Sequence, residues 1–113
     1  MAPEQEPDLG IRSFQKTIES IYFEKDSKRG VEGSFMWLVE EVGELARCLN
    51  SPDANSPEEQ AEFADVLAWL ASIASIRGVD LATCVNQKYG TGCPRCDKTP
   101  CNCHHREEKS TQQ

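Results

Sequence analysis

The sequence predicts an all-α fold: four helices in a thin bundle, completed by association of copies, with a short cysteine-rich tail. Three observations predict it. Apolar residues recur at helical spacing, about 100° per residue, through four runs. Polar or glycine-bearing breaks separate those runs. No stretch shows the two-residue alternation of a half-buried strand. At 113 residues the chain is one domain, or one domain with a tail, and a single copy buries only a modest core. Broad apolar helix faces on so short a chain therefore predict a homodimer or homotetramer.

Taken in order, residues 1–8 carry two prolines and three acids and read as a disordered N-terminus. From Leu9 to about Lys25 the pattern is helical, with Ile11, Phe14, Ile18, Ile21 and Tyr22 on one face. Asp26-Ser27-Lys28-Arg29-Gly30 reads as a polar break ending in glycine. A second helix is expected from Gly33 or Ser34 to Leu49, with Ser34 as its N-cap. It should bury Phe35, Leu38, Val39, Val42, Leu45, Ala46 and Leu49. After a loop, Ser56-Pro57-Glu58-Glu59 is a strong helix start: a capping serine, proline at the first position, acids in the first turn, and a capping box from Ser56 to Glu59. The third helix should bury Phe63, Val66, Leu67, Trp69, Leu70, Ile73 and Ile76 and end near Arg77-Gly78. Asp80 is expected to cap a fourth, shorter helix through Lys88 or Tyr89, stopped by Gly90 and Gly92. The core domain thus spans residues 9–89, the cysteine-rich tail 90–105, and a disordered end 106–113.

Helices two and three carry the chemistry. Glu41 and Glu44 fall just beside the apolar stripe of the second helix, with Trp37 and Cys48 above and below them and Glu40 further out. Glu62 falls inside the apolar arc of the third helix, and Asp65 lies at its edge. Buried carboxylates are costly without a positive partner. Arg47 and Arg77 are the only cations on these helices, and neither is expected to face the acids. Glu41, Glu44, Glu62 and Asp65 would then make an oxygen-only site for a hard divalent cation, Mg²⁺ or alternatively Mn²⁺. A solvated helix face is the plainer reading of such pairs. It suits Glu40, and it suits Glu58 and Glu59 as first-turn acids, but not Glu62.

A formal net charge of −7 argues against direct nucleic-acid binding or an anionic membrane as partner. It also means that a nucleoside triphosphate could approach only with cations between. No run of eighteen apolar residues and no signal peptide is read, which predicts a soluble, cytoplasmic chain. Of six cysteines, four crowd into residues 93–103, a pattern of a thiol-keeping compartment rather than a disulfide scaffold. Cys93-Pro94-Arg95-Cys96 and Cys101-Asn102-Cys103, followed by His104-His105, form a second candidate metal site, for Zn²⁺. Its C-x-C half and the connecting loop are tight for a zinc knuckle, and a redox-active or flexible tail is the alternative. Cys48 and Cys84 read as small core residues.

Trp37-Leu38-Val39-Glu40-Glu41-Val42-Gly43-Glu44-Leu45-Ala46, a loop, then Glu62-Phe63-Ala64-Asp65-Val66-Leu67-Ala68-Trp69-Leu70 resembles the MazG-like nucleotide pyrophosphohydrolases, of the all-α nucleoside triphosphate pyrophosphatases. Their signature is E-E-x-x-E followed by E-x-x-D, and Lys28-Arg29-Gly30 is similar to the segment before it in several members. The resemblance implies a four-helix fold of that type and hydrolysis of a nucleoside triphosphate to the monophosphate and pyrophosphate, for nucleotide-pool house-cleaning. It implies Glu41, Glu44, Glu62 and Asp65 as Mg²⁺ ligands, with Glu40 and Glu41 as catalytic residues. Glu40 would hold a second metal or orient the attacking water. Lys88, in Val85-Asn86-Gln87-Lys88-Tyr89, matches a lysine that faces the phosphates. Gly92 stands where many members have an asparagine. Trp37 and Phe14 could stack on a base, with core packing the plainer role.

Three other readings compete. A di-iron carboxylate bundle would use Glu-x-x-His pairs, and neither acidic pair contains histidine. A non-enzymatic helical adaptor with a zinc-binding tail would require a decayed motif, and the motif is intact. Phosphoribosyl-ATP pyrophosphatase shares the bundle and similar acids, so base and sugar preference stay open.

Overall fold

A computed structural model describes Glu6 and residues 8–104. The termini expected to be disordered lie outside the described residues except for Glu6 and Asp8, and so does His105. The described fold is all-α, with no strand among the described residues: α1 Gly10–Leu49, α2 Pro57–Ile76 and α3 Leu81–Tyr89. Two compact units divide the chain, the first ending at Leu81 and the second starting at Ala82.

The first two expected helices are the two segments of α1, joined across a kink. The five-residue polar break shrinks to a single residue, Gly30, at φ 85° and ψ 174°. Only glycine enters that region freely. Asp26 and Arg29 stay helical because they satisfy each other within one turn, Arg29 donating to Asp26 Oδ1 at 2.7 Å. Ser34 accordingly does not cap a helix. It lies inside α1, fully buried, and its Oγ has no hydrogen-bond partner.

The start of α2 follows the sequence expectation closely. Ser56 Oγ accepts from the Glu59 N–H at 3.1 Å, and Pro57 opens the helix. The return half of the box shifts by one residue, since Glu59 Oε2 accepts from the Asn55 N–H. At the other end, Val79 N–H reaches Ala74 O and Gly78 adopts φ 73°, which is the glycine-closed ending of a Schellman motif. The Asp80 carboxylate, just before α3, accepts from Arg12 at 2.9 Å. The first N–H of α3, from Leu81, donates to Gln15 Oε1 at 2.9 Å. The Gln15 amide also donates to Val79 O and Ser75 Oγ. One buried side chain on α1 thus ties down the turn that follows α2.

α1 and α2 pack along their lengths. The first half of α1 meets the C-terminal half of α2, Gln15 with Ser75. The second half runs on toward the start of α2, Trp37 stacking on Trp69 just past the middle of α2 and Glu41 facing Glu62. Ile18, Ala71 and Ala74 are the buried apolar residues of this unit. The apolar arcs expected to be buried are split. Phe35, Val39, Val42 and Leu49 of α1, and Phe63, Leu67 and Leu70 of α2, are 45–57% exposed in the single chain. The arcs are too wide for one neighbour, and each helix turns only one edge of its arc inward. That edge carries half-buried Glu41 and Cys48 on α1, and Glu62, Val66 and Trp69 on α2, while Trp37 borders it and stays exposed. Cys84 is exposed rather than a core residue.

Candidate functional site

The inward edges of α1 and α2 bring Glu41, Glu62 and Asp65 together. Each offers a carboxylate oxygen within 4.8 Å of the others. Glu62 and Asp65 sit three residues apart on α2 and so share a face. Glu41 faces them from α1. Glu41 and Glu62 are half-buried and Asp65 is exposed.

Three negative groups at this separation resist being charged together. Burial, first, pushes the Glu41 carboxyl above its ordinary value. The hydrogen-bonding approach of Glu62 and the charges of Asp65 and Glu62 add to it, while the Trp69 indole pulls the other way. Glu62 Oε1 is buried with no hydrogen-bond partner. An acceptor left in that condition costs about 1–3 kcal/mol, and more when charged. Among the described residues no ion pair to Glu62 is formed. The chemistry of the donor set, three carboxylates with one orphaned oxygen, fits a hard divalent cation. The Cys48 thiol, on the same edge of α1, is raised by burial and then by the charge of Glu62.

Glu44 and Glu40 stand apart from this group. Glu44 pairs with Arg47 at 3.2 Å, so one of the two arginines expected to face away does engage an acid of the motif. Glu40 is exposed on α1. Trp37 stacks on Trp69 with centroids 5.8 Å apart and planes 7° from parallel, which fills one face of its ring. Phe14 is half-buried on the first half of α1. Lys88 lies in the last turn of α3, its ammonium 5.6 Å from the Tyr89 ring centroid.

Sequence reasoning missed the wall beside the acids. The Arg29 guanidinium lies 4.9 Å from the Trp69 ring centroid while holding buried Asp26. A cavity of about 280 Å³ opens there, lined by Tyr22, Lys25, Asp26, Arg29, Trp69 and Asp65, among others. Asp65 therefore belongs both to the acid group and to the cavity. The available signal was spacing: Trp69 follows Asp65 by four residues, and Arg29 follows Asp26 by three, each on one helix face.

In the second unit, Cys93, Cys96, Cys101 and Cys103 also converge, with their sulfurs within 4.8 Å of one another. Amides are aimed at them: Asn102 N–H to Cys96 Sγ and Cys103 N–H to Cys101 Sγ, each at 3.3 Å. Backbone amides of Cys96 and Arg95 pull the Cys93 thiol down to about 6. Burial first, then the neighbouring thiols, pushes Cys103 up to about 12. No disulfide is present among the described residues. No single helix among them is long and apolar enough to cross a membrane.

A model of the MazG nucleotide pyrophosphohydrolase domain matches residues 29–96, more than half of the chain. The match begins at Arg29, includes both acidic signatures and Lys88, and ends at Cys96. Comparison with curated proteins returned no match.

Proposed function

The chain belongs to the MazG nucleotide pyrophosphohydrolase family, and from that premise we propose that it hydrolyses a nucleoside triphosphate to the monophosphate and pyrophosphate in a Mg²⁺-dependent reaction. The observation that carries the metal part is Glu62 Oε1, buried without a partner between Glu41 and Asp65. Glu41, Glu62 and Asp65 would hold the cation. Glu44, one turn from Glu41, is the fourth candidate and is now engaged by Arg47. When bound, a divalent cation there supplies positive charge to the acids and the triphosphate together and lowers the pKa of a bound water.

The residues around the site divide the remaining work. The helices hold the carboxylates rigidly, so little ordering entropy is left to lose on binding. Lys25 and Arg29 put positive charge into the cavity beside Asp65, which would draw in the anionic substrate. Tyr22 and Trp69 give that cavity aromatic surface suited to a base. Trp37, stacked on Trp69, would support that wall from behind rather than meet the base alone. Glu40, on the exposed side of α1, would orient water rather than bind the first cation. On the resemblance, Lys88 contacts the phosphates.

We also propose a homodimer or homotetramer. The open face of Phe35, Val39 and Val42 on α1 and Phe63, Leu67 and Leu70 on α2 is larger than the scattered apolar residues normal on a monomer surface. The several reduced thiols suit a cytoplasmic setting.

The deciding experiment measures pyrophosphate release from a panel of canonical and damaged nucleoside triphosphates, with Mg²⁺ and with chelator. Release that requires Mg²⁺ and disappears in Glu62→Gln supports the reading. Activity that persists in chelator overturns it.

A further inference from the structure

We propose that Cys93, Cys96, Cys101 and Cys103 bind one Zn²⁺ as a closed structural site, independent of the acid cluster. Four sulfurs gather within 4.8 Å of one another in a segment of eleven residues, 93–103. A tetrahedral site with Zn–S bonds of about 2.3 Å has S···S edges of about 3.8 Å. The Cys93 and Cys103 sulfurs are 3.8 Å apart. That is far longer than a disulfide bond of about 2.05 Å, and a disulfide between these two would leave the approach of Cys96 and Cys101 without a purpose.

The local backbone is shaped to present sulfur. Asp97 N–H closes onto Cys93 O at 2.6 Å, and Cys93 N–H onto Lys98 O at 3.1 Å. These bonds fold the C-x₂-C half back on its own loop, which is how the tight spacing still closes. Gly92 makes the fold possible: it sits at φ 116°, and a Cβ there would meet Thr99 Oγ1 at 2.8 Å and Lys98 O at 3.0 Å. The Asn102 and Cys103 amides aimed at sulfur supply the outer hydrogen bonds that thiolate ligands use.

Four protein ligands fill a tetrahedron and leave no position for water or substrate, so the site is structural rather than catalytic. Soft sulfur selects zinc over the hard cation suited to the carboxylates. On binding, the thiol protons pass to solvent. Exposed His104 is not needed as a ligand, because the sulfurs already complete the set.

The test uses the full chain, purified under reductant without added metal. Elemental analysis should find about one zinc per chain. Exchange for Co²⁺ should give the strong near-ultraviolet absorption of cobalt–thiolate bonds. Cys93→Ser and Cys101→Ser should each lose most of the zinc. Cys101 is exposed, so its variant keeps the packing intact. Cys84→Ser and Glu62→Gln should keep it, which separates this site from the catalytic proposal. Undiminished zinc in both cysteine variants overturns the proposal. So does protein that carries no zinc and takes none up when Zn²⁺ is added under reductant.

Discussion

The acid group on α1 and α2 and the cysteine group of the second unit are both convergent sets of anionic ligands, yet they are held in opposite ways. Glu41, Glu62 and Asp65 project from long helices that pack on each other through Trp37, Trp69 and the Gln15 anchor. Helix packing sets their positions, and the cost of burial, with crowding added, shows as a raised Glu41 carboxyl and an orphaned Glu62 oxygen. The cysteines project from tight turns. Backbone amides pull Cys93 down, while burial and then the neighbouring thiols push Cys103 up. A helical scaffold can store electrostatic strain because hydrophobic packing offsets it. A short loop with a single buried residue, Cys103, has no such reserve. The first set should therefore outlast its metal, and the second should depend on it.

Glu62→Gln gives the largest effect and the sharpest break between the two regions. Turnover should fall by at least about 100-fold, since loss of supporting groups alone commonly costs 10–100-fold. In chelator the variant should melt higher than the parent, because a buried unpaired acceptor has lost its charge. A variant that keeps parental turnover would show that the helical acids are not the ligands.

The next effect is on the scaffold. Gln15→Leu leaves the Leu81 N–H and Val79 O without their side-chain partners. Losing two part-buried hydrogen bonds should cost about 1–3 kcal/mol, read as a lower urea midpoint at unchanged slope. Zinc content should not move. If stability barely changes, the turn after α2 does not need its α1 anchor, and the rigidity of the acid set has another source.

Much of this was legible in the sequence, for identifiable reasons. The start of α2 was plain because Ser56, Pro57 and Glu59 act within one turn. The acidic pairs were plain because i, i+3 spacing fixes a shared face. What was not legible depended on distant partners. Ser34 looks like a cap because serine before an apolar run usually is one, but the chain re-enters helix directly after Gly30, which puts Ser34 inside the second segment of α1. The role of Gln15 required knowing where Val79 and Leu81 return. The apolar arcs overstated burial because periodicity reports an arc's width and not how many neighbours cover it. Arg47 was judged to face away from the acids, yet its length lets it reach Glu44 along the helix surface.

A smaller effect concerns the uncovered face. Leu67→Asp puts a charge on a residue that is 50% exposed in the single chain. The chain alone should tolerate it, within about 0.5 kcal/mol. If copies associate through this face, sedimentation at micromolar concentration should shift from oligomer to monomer. A parent that already sediments as a monomer would remove the oligomer proposal and leave the acid set complete within one chain.

Arg47→Ala carries the smallest effect and settles the fourth ligand. Glu44 is paired with Arg47 at 3.2 Å, with side chains 45% and 75% exposed. An ion pair so open to water is worth at most about 1 kcal/mol. Its removal frees Glu44, one turn from Glu41 on the same helix. If Glu44 joins the cation, less Mg²⁺ should be needed for half-maximal turnover, by no more than about fivefold, the factor that 1 kcal/mol can hold back. Zinc content and melting temperature should stay put. An unchanged Mg²⁺ requirement would leave Glu41, Glu62 and Asp65 as the whole protein ligand set, with water completing the coordination. An increased requirement would mean that Arg47 serves the substrate instead, and the pair with Glu44 would then be what holds it in reserve.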